Sequence, residues 1–93
     1  MAQVAYTMPI VCVHGPLKKL AAGQSEHVLD GDTVTGLLRA LERAHPALAG
    51  WVLDERGVIR RHINVYVNGE LADGQTAVHD RDRVEVLPAI SGG

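Results

Sequence analysis

The residues whose types and spacing could do chemistry stand at the end of the chain, in Leu87-Pro88-Ala89-Ile90-Ser91-Gly92-Gly93. A glycine carries no β-carbon, so another protein's backbone can approach the Gly93 carboxylate closely. Pro88 removes a hydrogen-bond donor and fixes φ, which predicts that the preceding strand stops there. The six residues from Pro88 to Gly93 reach roughly 20 Å when extended. That length can carry a carboxylate into a buried active site of another protein. Taken alone, these residues allow two readings, a frayed end or a thin arm tipped with a carboxylate. The body to which they are attached decides between them.

Other chemistry finds less support. Cys12 is the only cysteine and lies in the apolar run Met8-Pro9-Ile10-Val11-Cys12-Val13, which predicts a buried strand position rather than a reactive thiol. Five histidines fall at 14, 27, 45, 62 and 79, without a pair at the spacing of zinc motifs, so no metal ligand is assigned. Nothing suggests the serine, histidine and acid convergence of a hydrolytic triad. Lys18-Lys19 with Arg60-Arg61-His62 could form a basic patch, although a solvated face is the favoured reading.

With 93 residues, 46% of them hydrophobic, the chain has the size of one domain with a single core. The net charge of −2 and three aromatic residues leave neither a phosphate footprint nor a stacking platform, which argues against nucleic acid as a partner. No apolar run approaches the ~20 residues of a membrane helix. The N-terminus has no basic stretch followed by an apolar one, so no signal peptide is expected. The expectation is a soluble, cytoplasmic chain.

The elements that must position the tail follow from pattern. A first strand is expected over Val4–Val13, with an irregularity at Pro9. His14-Gly15-Pro16 is a turn, Leu17 to Gly23 fits no single element, and Lys18-Lys19 within it is read as a solvated surface loop. A short strand over Ser25–Leu29 returns antiparallel. Thr33 is a good N-cap. Val34, Leu37, Leu38 and Leu41 then fall on one helical face, and the helix should end near Ala44-His45, before Pro46. Leu48 and Trp51-Val52-Leu53 are expected to cap the core. Val58 and Ile59 can start a strand. Ile63-Asn64-Val65-Tyr66-Val67 alternates with period two, placing Ile63, Val65 and Val67 inward and Tyr66 outward. Asn68-Gly69 is a hairpin signal of type I′, with Glu70-Leu71 returning. Arg83-Val84-Glu85-Val86-Leu87 is the last strand. The predicted organisation is a body over 1–87 and a flexible tail over 88–93, with one helix covering one face of a mixed sheet.

Three blocks carry a resemblance. Gly31-Asp32-Thr33-Val34, Ile63-Asn64-Val65-Tyr66-Val67-Asn68-Gly69-Glu70 and Asp82-Arg83-Val84-Glu85-Val86-Leu87-Pro88-Ala89-Ile90-Ser91-Gly92-Gly93 resemble the MoaD/ThiS family of ubiquitin-like sulfur carriers, nearest to the CysO type. The resemblance implies an α+β fold, the ubiquitin-like β-grasp, with four to five strands and one main helix. It implies that an E1-like partner uses ATP to adenylate Gly93, that a sulfur donor then leaves a thiocarboxylate there, and that a biosynthetic enzyme accepts the sulfur. The carrier itself would bind no cofactor and supply no catalytic side chain. Pro88, Ala89, Ile90, Ser91 and Gly92 would thread the partner's channel, while Tyr66 and Leu87 would dock on its surface. Two other functions begin from the same tail or fold: a ubiquitin-like modifier joined to lysines through Gly93, and a regulatory β-grasp subunit.

Overall fold

The computed structural model describes residues 8–88. Its elements are β1 (Ile10–Val13), α1 (Pro16–Leu20), β2 (Glu26–Val28), α2 (Val34–Ala44), a 3₁₀ turn (Pro46–Leu48), β3 (Ile63–Val67), β4 (Glu70–Ala72) and β5 (Arg83–Pro88). The five strands form one sheet in the order β2-β1-β5-β3-β4. β5 runs parallel to β1 and antiparallel to β3. The other two neighbouring pairs are antiparallel. This is the ubiquitin-like β-grasp expected from the sequence, with five strands and one main helix.

α2 forms where its apolar periodicity predicts. Thr33 caps it, its Oγ1 accepting from the Gly36 N–H at 3.1 Å, and His45 closes it through a bond from its N–H to the Leu41 carbonyl. Val34, Leu37, Leu38 and Leu41 are fully buried against Val11, Val13, Val65, Val84 and Val86 of the sheet. Sheet and helix each bury the apolar side that neither could cover alone. Gly31, just before the helix, has no side chain because there is no room: a β-carbon there would lie 2.8 Å from the Leu37 backbone nitrogen.

Several expectations are corrected. The stretch after the first turn is not a loop. Pro16 occupies the first turn of α1, where its missing N–H costs nothing, and Leu17 and Ala21, four residues apart, both point into the core. Lys18 and Lys19 face solvent. Trp51 does not cap the core. Leu48, Val52 and Leu53 fill that space, and Trp51 is left 51% exposed. Val67 is only half-buried, because it stands at the hairpin end of β3. Ile59 joins no strand and makes a single bridge to Leu53, across a turn organised by the Asp54 carboxylate. β1 begins after Pro9, at Ile10; the expected Val4–Thr7 portion of that strand lies outside the described residues. β5 includes Pro88 rather than stopping at Leu87.

Candidate functional site: the root of the C-terminal arm

β5 occupies the middle of the sheet. Val84 and Val86 are fully buried under α2, and the strand is held on one side by β1 and on the other by β3. Its last residue, Pro88, lies opposite Ile63 of β3. On the other side β1 has already ended, and the nearest neighbour found there is Gly15, whose added β-carbon would sit 3.8 Å from Pro88 Cγ. The strand from which the tail departs is therefore paired on both edges up to Val86 and held by β3 alone at Leu87 and Pro88. Of the residues assigned to threading, Pro88 is the one described; Ala89, Ile90, Ser91, Gly92 and Gly93 lie outside the described residues.

The face of the sheet away from α2 has no element of this chain packed across it among the described strands. Register places its side chains in rows. Leu87 lies opposite Asn64, and Tyr66 lies between Glu85 and Leu71. The two residues assigned to docking, Tyr66 and Leu87, are thus on one face, on adjacent strands and in neighbouring rows. Both are half-buried. Leu71, which the sequence reading left unassigned, extends that surface and is 68% exposed. Strand alternation alone marks it, since Leu71 is the cross-strand partner of Tyr66.

Cys12 lies on this same face, opposite Glu26 on β2 and Glu85 on β5. It is only 1% exposed. Arg83 bridges the two carboxylates above it, at 3.3 Å to Glu26 and 3.5 Å to Glu85. Burial raises the thiol pKa above its ordinary value, which disfavours the thiolate and agrees with a structural role. His14 Nε2 approaches Glu85 at 4.0 Å. His27 and His45 meet edge to face, with centroids 4.7 Å apart. Among the described residues no three His, Cys, Asp or Glu side chains gather in a way that could hold a metal ion. No helix of the described residues is long and apolar enough to cross a membrane.

A recess of about 560 Å³ lies on the helix side near β4, lined by Thr35, Ile59, Arg61, Ile63 and Gly74 among others. It is shallow and contains no convergent set of titratable groups.

Comparison with known proteins agrees with that geometry. Small archaeal modifier protein 1 of Haloferax volcanii is 39% identical, over 83% of this chain and 91% of that one. Its crystal structure matches with a TM-score of 0.77, covering 90% of this chain and 99% of the other. Sulfur carrier protein CysO of Mycobacterium tuberculosis is 32% identical, over 83% of this chain and 89% of that one. A chain in the crystal structure of the Amycolatopsis orientalis BexX/CysO complex matches with a TM-score of 0.81 at 28% identity, over 91% of this chain and 99% of that one. The family model described as ThiS family matches residues 11–93, a span that begins at the second residue of β1 and runs through the Gly-Gly end, and this chain therefore belongs to the ThiS family.

Proposed function

We propose that this protein is a sulfur carrier and not itself an enzyme. The Gly93 carboxylate is a poor electrophile. An E1-like partner joins it to the AMP portion of ATP and releases pyrophosphate. A sulfur nucleophile then attacks the acyl carbon and expels AMP, leaving a thiocarboxylate on Gly93. That sulfur is delivered to a biosynthetic client, in cysteine, thiamin or molybdopterin synthesis or in the assembly of a sulfur-containing natural product. ATP is consumed by the partner, and the carrier holds no cofactor of its own.

The observation that carries this reading is the position of β5. The strand leading to Gly92-Gly93 is the central one, paired on both sides through Val86 and with β3 through Pro88, so a rigid body presents the arm from a fixed point. Membership of the ThiS family and similarity to CysO support the sulfur chemistry. The crystallised BexX/CysO complex supports a protein partner for such a carrier. Tyr66 and Leu87 dock that partner, beside the strand that delivers the arm.

A second reading, a modifier joined to lysine amines through Gly93, is favoured by the 39% identity to Small archaeal modifier protein 1. The two share the adenylation step and part at the nucleophile. The test is intact-mass measurement after incubation with ATP, an E1-like adenylating enzyme from the same organism, and sulfide. The carrier gains the mass of one oxygen-to-sulfur exchange, located at Gly93. No gain with sulfide, together with lysine-linked conjugates in cell lysate, would replace the carrier with the modifier.

A further inference from the structure

The chain is acidic in total, at −2, but its charges are sorted along β5. Asp80 and Asp82 directly precede the strand, Asp30 follows the β2 residue paired with Ile10, and Glu70 stands at the β3–β4 hairpin. All four lie toward the start of β5, where Arg81 and Arg83 are the neighbouring cations. Toward its other end four cations gather, with Asp73 and Glu85 the acids beside them. Lys18 and Lys19 are exposed on α1, which follows β1 just beyond the Val13–Val86 pair. Arg60 and Arg61 stand three and two residues before Ile63, the partner of Pro88. Because β1 and β3 flank β5 on opposite sides, these two basic pairs flank the root of the arm.

Of the two acids before the Arg pair, Glu55 is exposed and Asp54 is already engaged. Asp54 is bound by the Arg56 guanidinium at 2.9 Å and by two backbone N–H groups. Arg60 is positioned by a bond from its Nε to the Gly50 carbonyl. Six residues of strand span roughly 17 Å, about twice the ~8 Å Debye length at physiological salt. A partner approaching the arm therefore meets these four cations, and the acids at the far end of β5 are screened from it.

We propose that Lys18, Lys19, Arg60 and Arg61 form a basic collar that docks against carboxylates around the mouth of the enzyme site receiving the tail. The proposal rests on the carrier reading above. The occupant is a protein rim of acidic side chains, because the collar flanks the root of an arm that, on the carrier reading, must enter a protein. Charge complementarity of this kind acts on encounter rate and register. It brings the arm to the channel in the correct orientation before the apolar contacts of Tyr66 and Leu87 form.

The experiment compares adenylation of the wild-type protein by its E1-like enzyme with that of K18E/K19E and R61E, across ionic strength. Asp80→Lys, at the far end, is the control, and each variant's thermal midpoint is measured to confirm folding. K18E/K19E should lower kcat/KM about tenfold at low salt, R61E should lower it in the same direction, and both should leave kcat unchanged. The deficits should fade as salt rises, and Asp80→Lys should behave as wild type. Unchanged kcat/KM in both folded collar variants, with the wild type converted normally, would overturn the collar and leave the carrier reading standing. So would collar-dependent binding of a DNA 20-mer with unaltered adenylation kinetics. If the wild type is never adenylated, the carrier reading fails, and the collar fails with it.

Discussion

Asn68 and Asp82 are joined side chain to side chain, Asn68 Nδ2 donating to Asp82 Oδ1 at 2.9 Å. Asn68 is the first residue of a type I′ turn, with φ of 50° followed by 86° at Gly69. Its side-chain oxygen also accepts from the Arg83 N–H at 2.9 Å, and Asp82 accepts from the His79 N–H at 2.8 Å. One residue thus shapes the β3–β4 hairpin and ties it to the start of β5, the strand that carries the tail.

Asn68→Gly keeps the positive φ and removes only the clamp, so it should cost about 1 kcal/mol. Asn68→Ala loses both and should cost more. Gly69→Val should also destabilise, since a β-branched residue is poorly suited to positive φ. In chemical denaturation, Asn68→Gly combined with Asp82→Ala should cost less than the sum of the two single changes. Strict additivity would show that the clamp contributes nothing.

Acid should loosen the fold through two turns. The Val58 N–H and the Arg56 side chain hold the Asp54 carboxyl down to about 2. Asn68, and then the His79 N–H, lower that of Asp82. Both groups titrate below the unfolded value of about 3.9. The folded state thus favours their charged forms, with that contribution complete above about pH 4 and lost as pH falls toward 2. The unfolding midpoint of Asp54→Asn/Asp82→Asn should decline less steeply than wild type across that window. Parallel curves would mean that other carboxylates govern acid unfolding.

Gly31 and Leu41 test how the helix is seated. Gly31→Ala forces a β-carbon toward the Leu37 backbone and should cost roughly 1–3 kcal/mol, although the φ of Gly31 is not positive. Leu41→Ala, in the core, should cost roughly 2–5 kcal/mol, and exposed Arg39→Ala well under 1 kcal/mol. Equal losses for Leu41→Ala and Arg39→Ala in denaturant titrations would refute this orientation of α2.

Deleting Gly92 and Gly93 should abolish the sulfur-dependent mass gain and leave the unfolding midpoint unchanged, because among the described residues the last member of the core cluster is Val86 and chain ends contribute little to a core. Gly92→Val should be nearly as damaging to sulfur loading, since a β-branched side chain stiffens and widens the arm. Ser91→Ala should be close to silent. Sulfur transfer by the deletion variant would rule out Gly93 as the carrier atom's site.

The sequence by itself determined what depends on near neighbours. Val34, Leu37, Leu38 and Leu41 repeat at helical spacing, Thr33 is a cap by its own hydroxyl, and Asn68-Gly69 is a turn by its own φ preferences. The Gly92-Gly93 end and the alternation of β3 and β5 were legible in the same way, and with them the fold and the candidate site. Tertiary structure decided what depends on distant partners. Leu17 became helical because α1 has core to bury it in, whereas Trp51 was left outside because Leu48, Val52 and Leu53 had filled the space. Gly31 is required by the approach of a backbone six residues ahead, a demand its own torsion angles do not reveal. Lys18-Lys19 and Arg60-Arg61 are about forty residues apart in the chain, and each alone reads as a solvated surface. They flank the root of the tail because β1 and β3 both pair with β5, and strand pairing between distant segments is set by the shared core rather than by any local signal.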